Sequence, residues 1–269
     1  TLWKNVADKL GLEIIWVPGD WRHGIDASLV EAELSADKDS QIRAVLAVHT
    51  ETSTGITSQI KEIREAIDKV GHPALFMVDA VSSLACSDFR HDEWAVDVTI
   101  SASQKGLMLP PGLCFNAISP KAIESSKTST FHHSYWSWEA ILENNARGFY
   151  PYTPGTNLLY GLDEALMMLQ TEGLENVFKR HARLAKATRL AVEAWDLENL
   201  CLNPAEYSNS TTAVLMPDGH DADQLRKVIL ERFNMSLGMG LSKLKGKVFR
   251  IGHIGDFNEL MLAGTLSGV

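Results

Sequence analysis

The sequence predicts an α/β protein: a mostly parallel sheet flanked by helices, followed by a small C-terminal α+β domain. Three observations carry this reading. Five short runs are apolar and partly β-branched: residues 13–17 (EIIWV), 44–48 (AVLAV), 74–79 (ALFMVD), 97–101 (DVTIS) and 113–118 (LCFNAI). Near-continuous hydrophobicity of that length suits strands buried on both faces of a sheet. Between the second and third runs, residues 57–70 place Ile60, Ile63 and Ile67 on one helical face and stop at Gly71-His72-Pro73. Strand, helix and strand in that order are the grammar of a βαβ unit. From Asp196 onward the pattern changes: the runs 211–217, 235–239 and 248–252 surround a helix over 221–233, a β-α-β-β arrangement.

The remaining elements follow in chain order. The sequence opens inside a helical pattern (LWKNVADKLGL), so a processed chain or a piece of a longer one is expected. Residues 131–153, with HHSYWSW and GFYPYTPG, read as an irregular aromatic segment. Two longer helices are expected over 156–169 and 172–195, interrupted at Glu172-Gly173, and a last one starts near Asn258. The expected division is a large α/β domain over 1–165, with connecting helices and the small domain over 166–269.

Composition narrows the class. With 269 residues, 45% hydrophobic and 22% charged, the chain has the make-up of a soluble globular protein with a substantial core. A net charge of −9 argues against nucleic acid or an anionic membrane as partner, while leaving an anionic small molecule open to local basic groups. Cys86, Cys114 and Cys201 are widely spaced, with neither a C-x-x-C pair nor zinc spacing, so buried thiols in a reducing, intracellular compartment are expected. No apolar run approaches a membrane span. The consecutive His91-Asp92-Glu93-Trp94 cannot converge on one ion, and His132-His133 has no supporting partner, so no metal is expected.

The chemistry concentrates between Val78 and Gly112. Asp79 ends an apolar strand, where a carboxylate without a partner is costly to bury. Lys105 follows 26 residues later, after a second strand and just before a Pro-Pro-Gly turn. A lysine placed to form an imine and an aspartate placed to hold a proton on a ring nitrogen are the two protein groups pyridoxal phosphate needs most. The bland readings are a surface lysine and an aspartate capping the next turn. HTETSTG (residues 49–55) offers hydroxyls and N–H groups at a strand's end, or an ordinary helix cap. Arg250 on VFRIG suits a substrate carboxylate or an exposed sheet edge. Tyr150 and Thr153 in YPYTPG suit phosphate contacts or simple packing.

Taken together, HTETSTG, HPALFMVDAVSSLACSDFRHDEWAVDV, SQKGLMLPPGL, YPYTPGTNLLYGLDEAL, EGLENVFKRHARLAKATRLAVEAW and GKVFRIGHIGDFNEL resemble the class V, fold-type I pyridoxal-phosphate aminotransferases over essentially the whole chain. The resemblance implies transamination of a small L-amino acid, serine or alanine, with glyoxylate, giving hydroxypyruvate or pyruvate and glycine. It implies Lys105 as the imine-forming lysine, Asp79 on the pyridine nitrogen, a cofactor contact from the Thr52 hydroxyl, and Gln104 on the phosphate. Tyr150 and Thr153 are implied to reach a neighbouring subunit's phosphate across a homodimer, and Arg250 to bind the α-carboxylate. The family also has on the order of a hundred residues before the position of Thr1, bearing a phosphate loop, an aromatic ring over the cofactor and a further strand. A piece that holds no cofactor, another amino donor, or a cysteine desulfurase remain as alternatives. The implied compartment is cytoplasm or a peroxisome-like organelle.

Overall fold

The computed structural model describes residues 2–131 and 133–269; Thr1 and His132 lie outside the described residues. After α1 (Leu2–Lys9), α2 (Ala27–Ala36) starts at Asp26, whose carboxylate accepts the Ser28 N–H at the helix entrance. β1 (Ala44–Val48) leads into a short antiparallel hairpin, β2 (Thr50–Glu51) and β3 (Ile56–Thr57). α3 (Ile60–Val70) then crosses to β4 (Leu75–Asp79), and β5 (Val98–Ala102) and β6 (Cys114–Ile118) complete the sheet in the order β1-β4-β5-β6.

Register decides where the chemistry falls. β1 and β4 run parallel with Val48 opposite Asp79, and β4 and β5 run parallel with Asp79 opposite Ile100. Only β6 is antiparallel, joined to β5 by a loop rather than a crossover. Ile60, Ile63 and Ile67 of α3 are buried with Val30 and Leu34 of α2 against Phe76 and Val78 of β4, forming the core on one face. Gly71, at φ +69°, ends α3 in the left-handed conformation that glycine adopts without penalty. Asp97, buried before β5, accepts the Phe76 N–H and the Ser119 hydroxyl, both at 2.8 Å. Its charge is thus satisfied while tying β4 to the start of α4 (Pro120–Ser126).

α5 (Trp138–Asn145) is followed by α6 (Thr156–Glu172) and α7 (Leu174–Ala194). The second sheet is antiparallel throughout, in the order β7-β8-β10-β9. Its strands are β7 (Glu198–Asn199), β8 (Thr211–Leu215), β9 (Gly238–Met239) and β10 (Val248–Gly252), with α8 (Ala222–Phe233) between β8 and β9 and α9 (Glu259–Gly268) last. Val192, Val214, Ile229, Phe249 and Ile251 make its core. The residue 165/166 division falls inside α6. Among the described residues no helix is long and apolar enough to cross a membrane.

Two expectations are corrected. Residues 13–17 form no strand: among the described residues no strand lies beside them to take their backbone hydrogen bonds, and Ile15 and Trp16 are exposed. The aromatic segment 131–153 is not irregular throughout, because Ser137 caps α5 by accepting the Ala140 N–H.

Candidate active site

Three chain segments leave the carboxyl ends of the parallel strands side by side: the hairpin after β1, the turn after β4 and the loop after β5. Such edges are where open α/β sheets place ligands. Asp79, the last residue of β4, accepts the Val81 N–H through Oδ1 at 2.8 Å. Among the described residues no protein donor reaches its other oxygen. Burial holds this carboxyl above the usual range, the Glu51 charge adds to the effect, and Lys105 opposes it. A cationic N–H placed against it would supply the missing partner.

Lys105 sits in the β5–β6 loop, which is fixed from several sides. The Ser103 hydroxyl donates to Pro110 O at 2.8 Å and accepts the Leu113 N–H at 3.2 Å, closing the loop on itself. Leu107 and Leu109 are buried against Ala165 and Leu169 of α6 and Val177 of α7. Gly106 lies so close to the turn after β4 that a Cβ there would be 2.1 Å from Leu84 O. The Lys105 amine makes no ion pair or hydrogen bond among the described residues. Burial lowers its pKa and the Arg250 charge lowers it further, against smaller opposing effects of Cys86 and Asp79. Both causes favour the neutral, nucleophilic amine.

Arg250 comes from the middle of β10, opposite Ala213 on one side and Gly238 on the other. It is half-buried, donating from Nε to Met239 O at 2.9 Å and from Nη1 to Thr52 O at 2.8 Å. Nη2 and one Nη1 hydrogen remain for an anion. The Thr52 hydroxyl is hydrogen-bonded to that of Ser82, so the hairpin tip touches both Arg250 and the turn after Asp79. Gly55, at φ +68°, lets the hairpin seat on β8: a Cβ there would be 3.0 Å from Thr211 O.

The structure thus gathers Lys105, Asp79, Thr52 and Arg250. Gln104 is adjacent in the chain with its side chain exposed. Tyr150 and Thr153 stand on the exposed loop 148–154 and bond to none of the others among the described residues. Sequence reading passed over Ser82, Glu51 and His49. Ser82 had a signal, a hydroxyl three residues past a strand end. The burial of His49, whose Nδ1 lies 2.8 Å from Ser83 Oγ beside Phe89 and Trp94, had none. Cys86 is fully buried and its thiol is pushed up to about 12 by that burial, while Cys201 is buried as well; both lack the exposure and thiolate character a sulfur-transfer nucleophile needs, whereas Cys114, expected to be buried, is exposed on the outer strand β6.

The fold and the placement of these groups are those of an α/β enzyme with its site at the carboxyl ends of parallel strands. The chain belongs to the class-V aminotransferases: the Aminotransferase class-V profile matches residues 1–243. It is 47% identical to the serine–glyoxylate aminotransferase of Methylorubrum extorquens, across 99% of this chain and 68% of that protein. It is 43% identical to the L-aspartate–glyoxylate aminotransferase of Paracoccus denitrificans, across 99% and 67%. The crystal structure of alanine–glyoxylate aminotransferase from Nostoc sp. superposes with a TM-score of 0.88 at 27% identity, covering 98% of this chain and 70% of that one. The chain therefore spans about two thirds of the length of these relatives.

Proposed function

We propose that this chain carries the reacting centre of a pyridoxal-phosphate-dependent aminotransferase that moves the amino group of a small L-amino acid, serine or alanine, to glyoxylate. The observation that carries the reading is the placement at one sheet edge of the unbonded Lys105 amine and the Asp79 carboxyl, one of whose oxygens has no protein donor among the described residues, with Arg250 close enough to lower the lysine's pKa. The names of the relatives support glyoxylate as the acceptor. When bound, the cofactor supplies an electron sink for negative charge developing at the substrate Cα.

The chain's own residues supply the rest. Asp79 would accept a hydrogen bond from the cofactor's ring N–H, which would favour its ionised form. Lys105 would hold the cofactor through its amine and, when free, would serve as the base that takes a proton from the substrate Cα. Burial and the Arg250 charge lower its pKa, which favours the neutral amine able to take up a proton. Arg250 orients the α-carboxylate with the hydrogens left free by Thr52 and Met239. Thr52 and Gln104 contact the cofactor. In a homodimer, Tyr150 and Thr153 serve the neighbour's phosphate; the exposed aromatics Phe131, Tyr135, Trp136, Phe149 and Tyr152 around that loop favour such a surface. Because one relative uses L-aspartate, a different donor is the second reading, and donor kinetics run side by side separate the two.

The test is a visible absorbance band on adding pyridoxal phosphate, fixed by borohydride and mapped to Lys105, together with Lys105→Ala. The variant is expected to keep its melting temperature and lose turnover. Appreciable multiple turnover without Lys105, or label scattered over surface lysines, would sink the reading.

A further inference from the structure

Arg180 and Glu172 lie outside the groups assigned above, yet they connect to the loop behind Lys105. Glu172 closes α6 and Arg180 stands in the second turn of α7. Arg180 Nε donates to Glu172 Oε1 at 2.7 Å and Nη2 to Oε2 at 2.9 Å, a two-pronged pair. Nη1 then reaches the loop between β10 and α9, donating to Gly255 O and Phe257 O, both at 3.0 Å. The side chain is only 15% exposed, so these bonds form largely out of water.

That loop backs the lysine turn. A Cβ on Gly255, which has φ +79°, would be 3.2 Å from Met108 Cγ and 3.8 Å from Lys105 O. The Met108 N–H bonds Lys105 O at 2.9 Å within the lysine turn, so Gly255 packs against a residue that is itself tied to Lys105. The same loop leaves the sheet two residues after Arg250, where His253 is anchored through Nδ1 to Asn209 O at 2.8 Å and through Nε2 to the Thr212 hydroxyl at 2.9 Å.

We propose that Arg180 and Glu172 are positioning residues, which clamp residues 255–257 and so hold the Lys105 turn and the exit of the Arg250 strand in fixed relation. The proposal rests on Lys105 as the reacting lysine. Catalysis tolerates little play here, since a misplacement of about 1 Å costs on the order of a hundredfold in rate. Only a guanidinium can grip a carboxylate with two prongs and two carbonyls at once; an ammonium offers a point charge.

The test compares Arg180→Gln, Arg180→Lys and Glu172→Gln with the unaltered protein by two readouts. One is kcat and KM for serine with glyoxylate. The other, without cofactor, is the pH dependence of Lys105 acetylation by acetic anhydride, followed by peptide mapping. Arg180→Gln is expected to lower kcat roughly 10- to 100-fold with KM changed less than about threefold. It is also expected to raise the Lys105 labelling midpoint towards that of exposed lysines, as water enters the loosened turn. Arg180→Lys restores part of both, and Glu172→Gln gives smaller changes of the same sign. A variant that melts earlier while kcat and the labelling midpoint stay unchanged overturns the proposal and leaves the pair merely structural. Should Arg180→Gln fail to fold, Glu172→Gln decides by the same readouts. Failure of the unaltered protein to capture pyridoxal phosphate at Lys105 would count against the aminotransferase reading instead, and the labelling shift would still decide the coupling.

Discussion

Replacing Gly106 by alanine tests whether close packing places Lys105. The added Cβ would stand 2.1 Å from Leu84 O, 3.0 Å from Cys86 Sγ and 3.1 Å from the Ala85 Cβ. Ordinary non-bonded carbon contacts lie near 3.5 Å, so the two segments must part by more than about 1 Å. The partner side cannot easily give way: Leu84 and Cys86 are bonded to Ala80 O and Ser83 O at 2.9 Å, and Cys86 is fully buried. The Lys105 turn therefore moves. Overpacking of this kind costs about 1–3 kcal/mol, or roughly 2–4 °C of melting temperature per kcal/mol in a chain of this size. The larger effect is on rate, where a displacement of about 1 Å predicts a kcat loss near a hundredfold. Steady-state kinetics with serine and glyoxylate, run beside a thermal melt, give both numbers. A kcat within about threefold of the parent, with an unshifted melt, would refute the idea that this contact sets the lysine.

Three further outcomes follow from single contacts. Gly238→Ala puts a Cβ 3.0 Å from the Arg250 Cβ and 3.4 Å from its Nε, so KM for amino and keto acids should rise several-fold, by roughly 1 kcal/mol of lost binding, with kcat less affected; an unchanged KM argues against Arg250 as the carboxylate site. Thr52→Ala removes the hydroxyl bonded to Ser82 but keeps the carbonyl that accepts from Arg250, so cofactor retention in dialysis should weaken while KM holds; the opposite pattern would reverse the roles given to the two atoms. His49 and His253 are both lowered to about 4 by burial. The unfolded chain protonates them near pH 6.5 and the folded one only near 4, so the stability they contribute is complete above about 6.5 and lost as pH falls toward 4. Each is worth about 3 kcal/mol. Denaturant midpoints should fall across that window, and about half as steeply in His253→Gln, where His49 alone remains; a midpoint flat from pH 7 to 4.5 would contradict the assignment.

The elements legible in the sequence are those with a long or pure pattern. Ile60, Ile63 and Ile67 announced α3, and their burial against Phe76 and Val78 is what the spacing demanded. Residues 13–17 show the limit of the same logic, because an apolar, β-branched run becomes a strand only beside a partner. The hairpin of β2 and β3 has two residues per strand, too few for any period to show. Trp138–Asn145 hid because aromatic crowding outweighed a serine cap. In the candidate site, the placement of Asp79 at the end of β4 and of Lys105 just past β5 was legible from the apolar runs before them. The bond from Arg250 to Thr52 O joins residues 198 apart, and nothing local foretells it. The approach of Leu84 O to Gly106 is equally silent in the sequence, since a glycine after lysine is common in any turn.

That long-range bond explains why the site needs both sheets. Lys105 and Asp79 belong to the parallel sheet, whereas Arg250 belongs to an antiparallel sheet that shares no strand with it. The hairpin after β1 bridges them: Ser208 N donates to Gly55 O at 3.1 Å, Ile56 pairs with Tyr207, and the tip returns to Arg250 and Ser82. Thr52 thus faces the lysine-bearing sheet with its hydroxyl and the arginine-bearing sheet with its carbonyl. The two sheets have separate cores, so their relative placement rests on contacts such as these few directional bonds. On the far side of Lys105, Arg180 makes the corresponding tie between α6, α7 and the end of β10. With the hairpin tip bonded to Arg250 on one side and Arg180 bonded to the loop after β10 on the other, the half-buried Lys105 amine and Arg250 are held in fixed relation. Neither sheet alone could impose that relation.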